Sequence, residues 1–279
     1  MGGVSSRSKG GHIKQSHAPP PVQLQKLVPA DIHRSDGFDE NAPCKDVALL
    51  RKNLRVLFIH GGGGRTGVQS DLTQKPVPSY LRERYQNFHA TNVADTSDFE
   101  GMIATHARAI RFLSLFLHDP SRMIIIMIPV WSRSFQPDVV IGKSQGSPCL
   151  KHLIDRGVWR GPSLLIVPAF VHMMDDLHFA KDYPSLLVFG DQDVAVPLNT
   201  RNSVNEVNAG LKEDSELKIY TFADGHSMNL ITYETFEHNL DVLIKELWEM
   251  KFANKAYAHE KRFPPLTELQ LNKFGLTST

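Results

Sequence analysis

Residues 138–148 constrain the fold of this chain more than any other stretch. A short β-branched run, Val139-Val140-Ile141, stops at Gly142-Lys143-Ser144-Gln145-Gly146, a G-x-S-x-G pentapeptide, and Pro148 follows where a helix begins its first turn. The order is strand, sharp turn, helix. A serine at the tip of such a turn has its hydroxyl pushed clear of the sheet, and glycines two positions to either side remove the Cβ atoms that would collide there. Ser144 is therefore a candidate nucleophile. A pentapeptide this short also arises by chance, so the weight of the assignment to Ser144 falls on the residues around it.

The surroundings alternate between strand and helix. Leu54-Arg55-Val56-Leu57-Phe58-Ile59-His60 reads as a buried strand and ends in four glycines, Gly61 to Gly64. Glycines there let backbone N–H groups face a ligand closely. A nucleotide loop is excluded, because the spacing of Gly62 and Gly67 is followed by Val68-Gln69 where Lys and Ser/Thr are needed. In a site built on Ser144, this loop supplies a second oxyanion donor from Gly61 or Gly62, the first being the N–H of Gln145. Downstream, the pattern predicts a short helix over 78–85, a strand over 87–93, and a helix over 98–117 with Met102, Ile103, Ala107 and Ile110 on one apolar stripe. Residues 123–135 stay open between strand and other states. A helix over 148–156 follows the elbow, then strands over 162–168, 183–190 and 217–222. The expected fold is α/β: a mostly parallel sheet of about six strands with helices on both faces.

Composition sets the limits. A chain of 279 residues with 41% hydrophobic content can bury one good core, which we assign to residues 51–252, with a mobile N-terminal tail over 1–50 and an extension over 253–279. Net charge of +1, from 31 basic and 30 acidic residues, gives no field that would recruit nucleic acid. Cys44 and Cys149 lie far apart and outside metal-ligand spacing, which suits a reducing, cytoplasmic compartment. The longest apolar candidate, 110–131, is broken by His118, Asp119, Pro120 and Arg122, so no span of about 18 apolar residues exists. Met1-Gly2-Gly3-Val4-Ser5-Ser6 fits the N-myristoylation pattern, and Arg7, Lys9 and Lys14 precede the first acidic residue, Asp31. Gly2 is thus a candidate lipidation site, with peripheral membrane contact through the tail as its consequence.

Two further loops complete a candidate constellation. Leu186-Leu187-Val188-Phe189 runs into Gly190-Asp191-Gln192-Asp193, and Leu217-Lys218-Ile219-Tyr220-Thr221-Phe222 runs into Ala223-Asp224-Gly225-His226. Both place polar residues at the carboxyl edge of parallel strands, where ligands sit in such sheets. Ser144, Asp193 and His226 therefore occur in the order Ser, Asp, His, with Asp191 as an alternative acid. A serine hydroxyl is a weak nucleophile until a base removes its proton, and an imidazole, with an ordinary pKa near 6.5, can do so near neutral pH. A carboxylate on the other ring nitrogen fixes the tautomer and stabilises the imidazolium.

With these motifs in hand, the chain over about 54–248 resembles the α/β-hydrolase family, and most closely its small esterase and thioesterase members without a cap. The resemblance implies Ser144 as nucleophile, Asp193 as acid, His226 as base, and Gln145 with a glycine of the 61–64 loop as oxyanion donors. It implies hydrolysis of a small-molecule ester or thioester through an acyl-enzyme, with no metal and no cofactor. Ser147 stands where the family often has a second glycine. Only residues 171–181 separate Phe170 from the next strand, too few for a large cap domain. Met173, Met174 and Phe179 in that interval are candidates for the rim of an apolar acyl pocket. A peptidase or lyase on the same scaffold, and a non-catalytic binding protein, are the alternatives.

Overall fold

The computed structural model describes residues 35, 37–61, 75–91, 99–111, 136–169, 183–196 and 217–253. Their order is α1 (Val47–Asn53), β1 (Arg55–Ile59), α2 (Pro76–Arg84), β2 (Asn87–Thr91), α3 (Phe99–Arg111), β3 (Val139–Lys143), α4 (Gly146–Asp155), β4 (Ser163–Ile166), β5 (Ser185–Gly190), β6 (Leu217–Phe222), a 3-10 turn (Leu230–Thr232) and α5 (Leu240–Ala253). The strands form one six-stranded sheet in the order β2-β1-β3-β4-β5-β6, and every pairing is parallel. The chain moves outward from β1 to β2, then returns to the other side of β1 for β3. That reversal lies between β1 and β3, and in open parallel sheets such a switch point opens a crevice at the carboxyl ends of the strands.

Strand alternation explains why helices cover both faces. Val56 and Phe58 of β1, Val139 and Ile141 of β3, and Leu186 and Val188 of β5 point to a core shared with Leu50 of α1, Val77 and Leu81 of α2, and Leu243, Leu247 and Trp248 of α5. The alternate residues Leu57, Val140, Leu165 and Leu187 meet Met102, Ile103 and Ala107 of α3 and Cys149, Leu150 and Leu153 of α4. Since these central strands are buried on both faces, their sequences are continuous apolar runs rather than alternating ones.

Element types follow the sequence, while several boundaries shift. Helix α4 begins at Gly146, so Pro148 sits inside its first turn, where backbone N–H groups have no helical acceptor and a proline costs nothing. Strand β2 is described to Thr91 and α3 to Arg111; the remaining expected parts of both, and residues 123–135, lie outside the described residues. So do Met173, Met174 and Phe179.

Packing against the sheet layer extends upstream of residue 51. Helix α1 starts at Val47, where the Asp46 carboxylate accepts the N–H groups of Ala48 and Leu49, and Arg51 and Lys52 occupy its last turn. Upstream of it, Phe38 stacks on Trp248 at 6.0 Å between ring centroids, Lys251 Nζ donates to the Glu40 carbonyl at 3.0 Å, and the Ser35 N–H donates to Asn53 Oδ1 at 2.7 Å. A cap, one stacked ring and isolated hydrogen bonds hold this segment, and none of these produces an apolar period in the sequence.

Candidate active site

The Ser144 elbow is built by close packing. Ser144 has φ +55°, a conformation uncommon for a residue with a Cβ, and it ends β3 with its N–H on the Ile166 carbonyl at 2.9 Å. The flanking glycines are there for space. A Cβ on Gly142 would lie 2.6 Å from the Gly146 carbonyl oxygen, and one on Gly146 would lie 2.1 Å from the Ile59 carbonyl oxygen, so α4 can start directly against β1. Ser147 fits where glycine is common because its hydroxyl donates to the Gly142 carbonyl at 2.8 Å.

Gly61 comes from the end of β1 and lies against the elbow. A Cβ there would stand 2.5 Å from Ser144 Cβ and 3.1 Å from Ser144 Oγ. The backbone of Gly61 and that of Gln145 thus flank the serine at the switch point between β1 and β3. Gly62 lies outside the described residues, as does Gly2.

The loops after β5 and β6 are tied to one another. Asp191 N–H donates to the Phe222 carbonyl at 2.9 Å and Gln192 N–H to the Asp224 carbonyl at 3.1 Å. Gly190 permits this approach, since a Cβ there would lie 2.3 Å from the Asp224 oxygen. The Asp224 carboxylate organises the second loop by accepting the Gly225 N–H at 2.7 Å and the Leu230 N–H at 2.6 Å. As a result, His226 Nδ1 stands 2.8 Å from Asp193 Oδ2. The Asp193 side chain is 4% exposed and that of His226 is 29% exposed, so a covered carboxylate meets an imidazole that reaches the solvent side. The other oxygen of Asp193 accepts the N–H groups of Ala195 and Val196. Of the two candidate acids, Asp193 meets the histidine, and Asp191 sits exposed on the same turn.

Ser144 and His226 line one cavity of about 50 Å³, together with Gly61, His60, Lys143 and Lys75. Lys143 and His60 were not singled out by the sequence pattern. Lys143 Nζ donates to the His226 carbonyl oxygen at 2.7 Å. Burial, reinforced by Lys75, pushes the Lys143 ammonium down to about 8, while Asp193 and Asp224 act in the opposite direction. His60 is pushed down to about 4 by burial and then by Lys75, Arg82 and Lys143. The available signals were a basic residue just before the serine in the elbow and a histidine closing an apolar strand. No group of three or more His, Cys, Asp or Glu among the described residues is arranged to hold a metal ion.

No protein-family model matches the chain, and no curated protein matches it in sequence. Solved structures similar to it include an alpha/beta hydrolase enzyme from a Medee basin deep-sea metagenome library, at 20% identity and TM-score 0.42, covering 72% of this chain and 81% of that one. Esterase 2 of Thermogutta terrifontis, phosphorylated by paraoxon, aligns at 14% identity and TM-score 0.39 over 75% and 83% of the two chains. An alpha-beta serine hydrolase homologue from Coxiella burnetii aligns at 19% identity and TM-score 0.37 over 72% and 84%. With a parallel sheet reversed between β1 and β3, a strand-turn-helix elbow at Ser144, and polar loops after β5 and β6 at the same edge, the chain has the α/β-hydrolase fold.

Proposed function

We propose that this protein is a serine hydrolase that cleaves carboxylic esters or thioesters through an acyl-enzyme on Ser144. The observation that carries the reading is a serine held at positive φ, in one cavity with a histidine whose other ring nitrogen is 2.8 Å from a buried carboxylate. In this mechanism His226 Nε2 takes the Ser144 proton as Oγ attacks the acyl carbon, and the N–H groups of Gln145 and Gly61 receive the oxyanion. His226 returns the proton to the departing alcohol or thiol. A water, deprotonated by the same imidazole, then attacks the acyl carbon, and collapse of the second tetrahedral species frees the acid and Ser144. Asp193 holds the imidazole with Nδ1 protonated throughout.

The test is a panel of p-nitrophenyl esters, acyl thioesters and peptide amides, assayed with the wild type and Ser144→Ala. Turnover of esters or thioesters that vanishes in Ser144→Ala supports the reading. Turnover of amides alone would favour a peptidase, and equal rates in the two proteins would end the nucleophile assignment.

For the tail we propose N-myristoylation at Gly2, with Arg7, Lys9 and Lys14 as a second, electrostatic signal toward anionic lipid, because one myristoyl chain gives only marginal binding, on the order of 10⁴ M⁻¹. Fractionation of wild type against Gly2→Ala in cells containing N-myristoyltransferase tests this. Equal partitioning of the two would remove the anchor.

A further inference from the structure

We propose that the site receives an anionic substrate: an ester or thioester bearing a carboxylate a few bonds from the scissile carbonyl, held by Lys143, His60 and Lys75. This rests on the serine-hydrolase reading and names the substrate class of the same site. Three nitrogen groups, those of His60, Lys75 and Lys143, line the cavity that holds Ser144 and His226, and among the described residues no carboxylate lines it. An ammonium carries three donors, and Lys143 gives one to the His226 carbonyl, leaving two. Although Lys143 is buried, it makes no salt bridge among the described residues. His60 is also buried, and its Nε2 has no hydrogen-bond partner among the described residues.

Neither feature is expected of a site for neutral substrates. Buried polar groups are ordinarily hydrogen-bonded, and buried charges are ordinarily paired. Asp193 and Asp224 favour the Lys143 charge, but neither bonds to its ammonium, and both are engaged elsewhere. Asp193 is engaged by His226, Ala195 and Val196, and Asp224 by Gly225 and Leu230. Lys143 and Lys75 instead repel each other, and both depress the charged form of His60. His60 is consequently neutral at pH 7, and its Nε2–H tautomer can donate to an anion without adding charge. A carboxylate is small enough for a cavity of about 50 Å³, and as an acceptor it matches the unmet donors of the groups that line it. Hydrolysis leaves that carboxylate unchanged: one water is added, the acyl–oxygen or acyl–sulfur bond breaks, and the alcohol or thiol leaves with a proton.

Binding and turnover together test the proposal. Ser144→Ala is titrated by calorimetry with monomethyl succinate and with methyl butyrate. We expect the anion to bind at least about tenfold tighter, with the preference falling when Lys143→Met or the exposed-site variant Lys75→Met is added. Removing an equal charge on α5, in Lys245→Met, leaves the preference in place. In parallel, kcat/KM is compared for p-nitrophenyl hemisuccinate and p-nitrophenyl butyrate. Lys143 also holds the His226 loop, so loss of that bond slows both esters alike, whereas loss of recognition lowers their ratio. Equal affinity for the two esters overturns the proposal, as does a ratio unchanged in both lysine variants. If Lys143→Met does not fold, Lys75→Met decides. Selective anion binding without turnover of these esters or of the matching acyl thioesters would sink the hydrolase reading and leave the anion site standing.

Discussion

Strands β1 and β3 carry buried charged groups at both ends, and the two ends are arranged in opposite ways. At the amino end, Asp138 is fully buried and every group it offers is paired: Arg55 Nη2 at 2.9 Å, Arg55 Nε at 3.0 Å and the Arg55 N–H at 3.0 Å, with the Asp138 N–H returning to the Arg55 carbonyl at 2.8 Å. At the carboxyl end, among the described residues, Lys143 Nζ has one carbonyl partner and the buried His60 Nε2 has none. Among the described residues, three of the four non-glycine residues at positive φ, Ser144, Val167 and Met228, follow the carboxyl ends of strands, while the fourth, Gln136, precedes Asp138 at the amino end. Burying a charge is costly unless it is paired, so the first end holds the sheet together while the second carries unmet donors and the elbow strained at Ser144. A second paired cluster makes the same point: Asp241 of α5 accepts hydrogen bonds from Arg51, Tyr80 and Tyr85. Burial pushes its carboxyl up, but those hydrogen bonds outweigh burial and hold it below the usual carboxylate range.

The comparison predicts that mutations at the two ends separate activity from stability. The largest effect is expected for Ser144→Ala and His226→Ala, each lowering kcat/KM by about 10⁴ or more without lowering the melting temperature, and together costing little beyond either alone. A fall in stability that matched the loss of activity would erase the distinction. At the other end, Asp138→Ala leaves Arg55 without its fork partner and should cost about 3–5 kcal/mol in urea unfolding, with activity per folded molecule within about twofold of wild type.

Acid is the next lever. His60 is held down to about 4 and His106, fully buried on α3, down to about 3, in both cases first by burial. The unfolded chain binds their protons near the ordinary value of 6.5, whereas the folded chain does so only at lower pH. Stability is therefore intact above about 6.5 and falls as pH drops toward 4, by about 3 kcal/mol for each histidine before their mutual coupling is counted. A flat unfolding free energy between those pH values would contradict the neutral, buried assignment.

Lys143 behaves in the opposite sense. Its folded pKa of about 8 lies below the ordinary 10.5, so the cost of its charge is fully present below about 8 and is relieved as pH rises toward 10.5. After allowance for the lost bond to His226, Lys143→Met should raise stability by about 1–2 kcal/mol at pH 7, with the gain shrinking above pH 8. The smallest effect is expected for Asp191→Asn, within about twofold in kcat/KM, since Asp193 is the carboxylate against His226. A larger loss there than in Asp193→Asn would move the acid by two positions.

What the sequence revealed follows from how each feature is encoded. Central strands buried on both faces are continuous apolar runs, and the elbow is a fixed five-residue pattern, so the fold and the three loop tips were legible from residues alone. Asp193 could be preferred to Asp191 only as an order of motifs. Its selection depends on how the turn after Gly190 is pinned to Phe222 and Asp224, which is a contact between distant loops. The role of Lys143 was hidden for a similar reason, because its Nζ acts on a carbonyl far along the chain. The contacts of residues 37–50 left no mark in the sequence, because capping and one stacked ring leave no period to detect.

The central claim is that Ser144 is an activated nucleophile, and its most direct test is covalent. The wild-type protein, exposed to a fluorophosphonate near neutral pH, should be labelled on the peptide containing Ser144, as located by mass spectrometry. Labelling should be lost in Ser144→Ala and slowed strongly in His226→Ala. An unlabelled Ser144 in folded wild-type protein, or labelling that persists at the same rate in His226→Ala, would contradict the account.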